Sequence, residues 1–276
     1  MRKIDAHQHF WKYNPVRDEW ITEEMSVIRR DFLPADLKPL LMANGFEGSV
    51  IVQSDQSPAE NIFQLENAAE NDFIKAVVGW VDLKSDDLKA ELDTLSQHKK
   101  LKGFRHVLQG EDPDFMLDPK FVRGITELSH YEYTYDLLVF PRHLINAEKL
   151  VAAVPYQQFV LDHIAKPGIR LGEIEAWKKD IHALARHPNV YCKISGMLTE
   201  ADWKRWKPSD FIPYLEIIFE AFGSKRIMFG SDWPVCLVAG TYSDVVHVAD
   251  HFVSRLSADE QAAFWGLNAL SFYQIN

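Results

Sequence analysis

Two histidines stand one residue apart near the start of the chain, His7 and His9 in KIDAHQHFW. In an extended strand, side chains two apart project to one side, so Asp5, His7 and His9 share a face and the two imidazoles can meet. Alone the pair decides little, because with 11 histidines in 276 residues such a spacing arises readily without function. His163, closing the run FVLDHIAKP, and Asp232, closing IMFGSDWP, change the balance. Each also has an ordinary reading: a hydrogen-bonded core histidine for the first, a turn or helix-cap aspartate for the second. Together, the three histidines and the aspartate favour metal ligation or catalysis over structure.

These residues need a scaffold that gathers them. Short β-rich runs occur at residues 3–7, 49–53, 77–83, 101–107, 133–139, 158–163, 190–195 and 227–232, separated by segments with helical spacing. The segments carry start signals, such as Ser57 before Pro58, and Ser85 followed by acidic residues. Further helices are expected over 36–44, 118–131, 141–154, 174–187, 209–222 and 257–270. Eight strands alternating with helices predict a single-domain (β/α)8 barrel of the α/β class, spanning residues 1–276. A doubly wound open sheet is the alternative, but it favours a glycine-rich phosphate loop after the first strand, and none is present. The irregular stretch from Phe10 to Pro34 follows the first strand and is expected over the barrel's C-terminal face, where active sites of this fold lie.

Polar groups end the remaining strands as well: Gln53, Trp80 and Asp82, Arg105 and His106, Asp136, and Lys193 with Ser195. Barrel interiors are packed mainly with branched apolar side chains, so this concentration at one end reads as a site. Arg105 and His106 are adjacent and cannot both face inward on a regular strand. For Lys193 the alternative is a buried ion pair, and for Asp136 a bracing role. His98, His130, His182, His187, His247 and His251 fall in helical segments or at their ends and read as surface or packing residues.

Composition bounds the partners. The net charge is −10 and no Lys/Arg-rich block occurs, which argues against nucleic acid or an anionic membrane surface and leaves a small molecule as the expected partner. Two cysteines, Cys192 and Cys236, make no disulfide framework and fit the cytoplasm. The N-terminus is too polar for a signal peptide, and no apolar run approaches the ~20 residues of a membrane span. Monomer and homo-oligomer are both open.

The phrases DAHQHFW, LKGFRHVLQ, YTYDLLVFPRHL, FVLDHIAKP, YCKISG and FGSDWPVC resemble the amidohydrolase superfamily over essentially the whole chain. Within it they resemble the branch of sugar-lactone hydrolases that includes L-fucono- and L-rhamnono-lactonases. The resemblance implies that His7 and His9 form a metal-facing pair, that His163 is the later-strand histidine and that Asp232 is the catalytic aspartate. Arg105–His106 stands where binuclear members carry a bridging lysine or glutamate, and the fifth strand has no histidine. One zinc-like ion, held by His7, His9, Asp232 or His163, is therefore expected, with metal-free hydrolysis as the alternative.

In that chemistry Asp232 would move the proton of the attacking water, while Arg105 or His106 would donate to the carbonyl oxygen, and His163 would ligate the ion or hydrogen-bond the carbonyl. Trp11, Trp80 and Trp233 offer flat surfaces for a sugar ring, and Gln53, Asp136 and Lys193 offer partners for hydroxyls. A dicarboxylate lactone would need converging cations. Of Arg105, Arg142, Lys166 and Lys193, only Arg105 and Lys193 are expected to look inward, so a neutral sugar lactone is the favoured substrate, and the resemblance implies L-fuconolactone first. The rivals are an aromatic-pathway lactonase, a metal-dependent non-oxidative decarboxylase and a non-catalytic sugar-acid-binding protein.

Overall fold

The alternating pattern resolves into eight parallel strands in sequential order, in a computed structural model that describes residues 1–275. The strands are β1 (Ile4–Gln8), β2 (Gly48–Val52), β3 (Ile74–Gly79), β4 (Leu101–His106), β5 (Thr134–Leu137), β6 (Phe159–Leu161), β7 (Val190–Ile194) and β8 (Ile227–Phe229). Closure comes just beyond β8, where Asp232 N donates to the His7 carbonyl at 2.8 Å and His9 N to the Trp233 carbonyl at 2.7 Å. The barrel that results is a (β/α)8 fold, so the helices must lie outside it.

In chain order they are α1 (Pro34–Ala43), α2 (Pro58–Glu70), α3 (Leu88–Leu95), α4 (Pro119–His130), α5 (Leu144–Ala153), α6 (Glu175–Ala185), α7 (Met197–Glu200), α8 (Pro208–Phe222), α9 (Tyr242–Val253), α10 (Ala258–Ala262) and α11 (Asn268–Phe272). Proline in the first turn of α1, α2, α4 and α8 fixes where each begins. The start of α9 is set by Thr241, whose hydroxyl accepts from Asp244 N. Its pattern is as apolar as the others, but it went unmarked in the sequence. Among the described residues no helix is long and apolar enough to cross a membrane.

The core divides by depth. Ile4, Ala6, Val50, Val52, Ala76, Val78, Val160 and Met228 form an inner cluster, sealed by Leu270, Phe272 and Tyr273 of the C-terminal segment. Chemistry is thereby confined to the other end. β3 lies three residues earlier than expected, so Trp80 and Asp82 fall beyond its end.

β1 carries an irregularity: its register against β2 slips between Asp5 and Gln8. Asp5 thus parts from the histidines and accepts hydrogen bonds from Ser231 N at 2.9 Å, His7 N at 3.1 Å and the Tyr242 hydroxyl at 3.1 Å. Burial outweighs these bonds and raises its carboxyl from 3.8 to about 6. A raised folded-state pKa means that stability is complete below pH 3.8 and is lost as pH rises through 6. Asn at this position keeps the acceptor toward the two amides and can donate to Tyr242. Asp5→Asn should therefore match wild type near pH 4 and be more stable by about 3 kcal/mol near pH 8. Thermal midpoints at the two pH values check this, and equal destabilisation at both would contradict it.

Candidate active site

At the C-terminal end of the barrel lies a cleft of about 360 Å³ whose polar lining includes His9, Arg105, His163, Lys166, Glu200 and Asp232. Its walls carry Trp11, Trp20, Met25, Leu138, Trp203, Val235 and Val238. Trp20 and Met25 arrive on the long connection after β1. That connection is pinned by paired backbone bonds between Trp11 and Phe32 at 2.9 and 3.0 Å, and by Trp11 Nε1 donating to the Arg30 carbonyl at 2.9 Å.

The titratable groups meet around one carboxylate oxygen. Asp232 Oδ1 lies 3.3 Å from His9 Nε2 and 3.9 Å from both His7 Nε2 and His163 Nε2. The two ring nitrogens of His7 and His9 are themselves 3.2 Å apart. Burial holds His7 and His163 well below the usual histidine value, against the pull of Asp162 on the first and Asp232 on the second, so both are neutral at pH 7. Burial opposes ionisation of Asp232, but His163 and His9 outweigh it and keep the carboxyl below its ordinary value. Neutral imidazoles beside a carboxylate are the protonation states of a metal-ligand set.

Hydrogen-bond direction tests the fit. The Val52 carbonyl accepts the His9 Nδ1 proton at 2.7 Å, so the neutral ring presents Nε2 as a lone pair. Lys193 Nζ lies 3.2 Å from His7 Nδ1, and Asp162 Oδ1 lies 3.3 Å from the same nitrogen. If Lys193 donates to Nδ1, the Nε2 proton of His7 satisfies His9. If Nδ1 is protonated toward Asp162, both Nε2 atoms offer lone pairs toward Asp232; Arg105 Nη1 reaches that of His7 at 3.4 Å, and the pair with the carboxylate is an arrangement that suits a further cation. Asp162 Oδ1 is ready for the second state: it is buried, has no aligned hydrogen-bond donor among the described residues and only the charge of Lys193 at 3.0 Å. His7, His9 and Asp232 fit a divalent ion, with two nitrogens and one oxygen as donors. A second grouping of His7, Asp162 and His163 is spatially possible, but Asp162 is already committed to Arg105 and Lys193.

Local backbone explains how β6 supplies two functional residues in a row. The strand ends at Leu161, and His163, Ile164, Ala165 and Lys166 all take positive φ, at 54°, 49°, 61° and 50°. Left-handed backbone in non-glycine residues is costly and collects at functional sites. Here it breaks the strand alternation, so Asp162 turns down toward His7 and Lys193 while His163 turns to Asp232 and Ser195. Asp162, unmarked in the sequence, ties Arg105 Nη1 at 3.1 Å to the site. Burial opposes its ionisation, but Lys193, His7 and Arg105 together hold its carboxyl well below the ordinary value.

His163 Nδ1 pairs with the Ser195 hydroxyl at 2.8 Å, and Gly196 backs the ring at φ 62°. A Cβ on Gly196 would sit 2.7 Å from His163 Nδ1. Gly196→Ala should therefore leave a folded protein, strained by about 1 kcal/mol, whose kcat falls 10- to 100-fold, on the order expected for a displaced functional group. Thermal melts beside steady-state kinetics check it, and unchanged kcat would remove His163 placement from the account.

Several residues expected at the site lie elsewhere. His106 leaves the barrel: its Nε2 meets Glu111 at 3.1 Å and its ring stacks on Phe115 at 5.0 Å. Adjacent strand residues face opposite ways, and Arg105 takes the inner side. Trp80 is held outside by Asn61, whose side chain bonds both its N–H and its carbonyl. Trp233 is buried against Phe10 and Phe32, at 6.1 and 5.2 Å, and anchors the β1 connection rather than facing the cleft. Gln53 is fully buried and donates to the Arg105 carbonyl at 3.0 Å. Lys193 and Asp136 form a fully buried ion pair beneath the site, with the Tyr273 hydroxyl 3.1 Å from both Asp136 oxygens. The cations of the cleft are thus Arg105 and Lys166, not Arg105 and Lys193. Trp11, Arg105, His163 and Asp232 do line it, and His7 lies directly behind His9. Gln109, Glu200 and Trp203 went unmarked, since they come from loops and short helices with no period to read, and Lys166, expected to face away, lines the cleft.

Comparison with known proteins places this geometry. The profile of the family described as amidohydrolase matches residues 4–275. An L-fucono-1,5-lactonase from Burkholderia multivorans is 40% identical over 99% of this chain and 96% of its own length. One from Burkholderia ambifaria is 38% identical with the same coverage. A crystal structure of a Burkholderia multivorans amidohydrolase with bound zinc superposes with a TM-score of 0.96, at 40% identity and over 100% of both chains.

Proposed function

Because this chain belongs to the amidohydrolase family, we propose that it is a lactonase, opening a sugar lactone of the L-fucono-1,5-lactone kind to the free sugar acid. The observation that carries the reading is the convergence of His7, His9 and His163 on Asp232 at the wall of the cleft. Near-complete coverage of two L-fucono-1,5-lactonases supports the substrate class.

We assign a zinc ion to His7, His9 and Asp232. When bound, such an ion supplies Lewis acidity to water and to a carbonyl oxygen. The chain's own groups account for the rest. Asp232, ionised throughout neutral pH, takes a proton from the water that attacks the lactone carbonyl. As the bond from carbonyl carbon to ring oxygen breaks, Asp232 returns that proton to the departing oxygen, so atoms and charge balance. Arg105 is immobilised by Asp162 and by donation to the Gln53 carbonyl at 2.5 Å, yet its Nε–H is buried without an acceptor among the described residues. The positive charge of Arg105 and a proton on His163 Nε2 suit the negative charge that develops on the carbonyl oxygen. Trp11, Trp20 and Met25 shield the reacting atoms from bulk water.

Hydrolysis of L-fucono-1,5-lactone in H2(18)O tests the bond that breaks. One label should appear in the product carboxylate at the first turnover. Label in the ring-derived hydroxyl, or no product, would refute water attack at the carbonyl.

A further inference from the structure

The wall of the cleft carries an acceptor that the hydrolytic reading leaves unused. Glu200 ends α7 and lines the cleft beside Thr199, Trp203 and Lys166. It is half-buried, and burial raises its carboxyl above the ordinary value, with only partial relief from the charge of Lys166. Among the described residues its one side-chain hydrogen bond comes from Thr199 Oγ1 at 3.5 Å, and that hydroxyl already donates to the Gly196 carbonyl at 2.6 Å. Gln109 lines the same cleft, and its Oε1 is buried with no donor among the described residues. A carboxylate therefore lines the cleft without an aligned donor of its own among the described residues, while the Gln109 oxygen is shut off behind the wall.

Groups in that condition select a ligand that brings donors. A polyhydroxylated ring offers adjacent hydroxyls whose protons match the two oxygens of one carboxylate, while its ring faces pack against Trp20 and Trp203. A dicarboxylate ligand offers no such donor and adds negative charge beside Glu200 and Asp232. We infer that Glu200 reads the hydroxyl groups of the lactone ring and sets the preference for neutral polyhydroxylated lactones. This rests on the lactonase reading and adds to it a residue that recognises the substrate away from the scissile bond.

The test compares kcat/KM for L-fucono-1,5-lactone and for δ-valerolactone, the same ring without hydroxyls or methyl, in wild type, Glu200→Gln and Glu200→Ala. Slow substrates are followed as first-order decays at high enzyme concentration. A hydrogen bond to a charged group carries a factor of roughly 10 to 100. Glu200→Ala should lose about that factor on the sugar lactone, chiefly through KM, and Glu200→Gln, which keeps one acceptor oxygen, should lose less. On δ-valerolactone both variants should stay close to wild type. Equal losses on the two substrates would make Glu200 a structural or catalytic group, and no loss on either would remove it from recognition. Both results overturn the inference while leaving lactone hydrolysis intact. A wild-type protein inactive on the sugar lactone would overturn the reading beneath it.

Discussion

Asp232→Asn should reduce kcat on a sugar lactone by about 10³-fold, within the range of an abolished general acid–base. Asp232 is the group nearest all three histidines, and its loss removes both the base for the attacking water and the acid for the departing ring oxygen. Asn preserves shape and still accepts from a neighbour, so the thermal midpoint should move little. The backbone at Asp232 already has φ 56°, a conformation Asn tolerates well. Zinc content, measured after dialysis against the free ion, should also fall, because one charged ligand oxygen has been replaced by a neutral one. Kinetics, melting and metal analysis on one preparation check the three parts together. A variant retaining a tenth of wild-type kcat would take Asp232 out of the chemistry.

The largest expected effect on stability belongs to Lys193→Met. Lys193 Nζ lies between Asp136 and Asp162, all three fully buried, with His7 Nδ1 3.2 Å away. Removing one partner of a buried ion pair leaves an uncompensated charge, at a cost of about 3–5 kcal/mol. Asp162 keeps Arg105, so the penalty concentrates on Asp136, whose remaining side-chain donor is the Tyr273 hydroxyl. Burial already raises the Asp136 carboxyl, and loss of Lys193 raises it further. A raised folded-state pKa gives stability that is present at low pH and lost as pH rises, so the deficit should be larger at pH 8 than at pH 5. Asp136→Asn combined with Lys193→Met removes both charges and should recover at least half the loss. Urea unfolding of the single and double variants at the two pH values measures this. A variant of normal stability with a raised KM would instead restore Lys193 to the substrate, as its place on β7 suggested.

That contrast shows what strand patterns reveal and what they miss. His7, His9, His163 and Asp232 were legible because each combines a chemically capable side chain with the end of a strand, and parallel barrels put those ends together. Alternation also chose the inner face of β7 correctly, but it carries no depth, so Lys193 and Asp136 read as cleft residues although they sit one layer below. Asp162 was hidden by the same rule. Its neighbour was assigned the inner face, and nothing in DHIAKP announces four successive left-handed residues. Trp80 was misplaced when β3 was read three residues late, and Trp233 because tryptophan at a barrel mouth serves packing as well as recognition. Glu200, Lys166 and Gln109 come from connections, where position is set by tertiary packing rather than by period.

Proton release from purified protein given L-fucono-1,5-lactone, at a pH where spontaneous opening is slow and with Asp232→Asn run alongside, reads lactone opening and its dependence on Asp232 in one experiment. Wild type should turn over rapidly and the variant should release protons at near the background rate. Release at the spontaneous rate in both samples, or equal turnover by the two, would contradict a sugar lactonase built on His7, His9, His163 and Asp232.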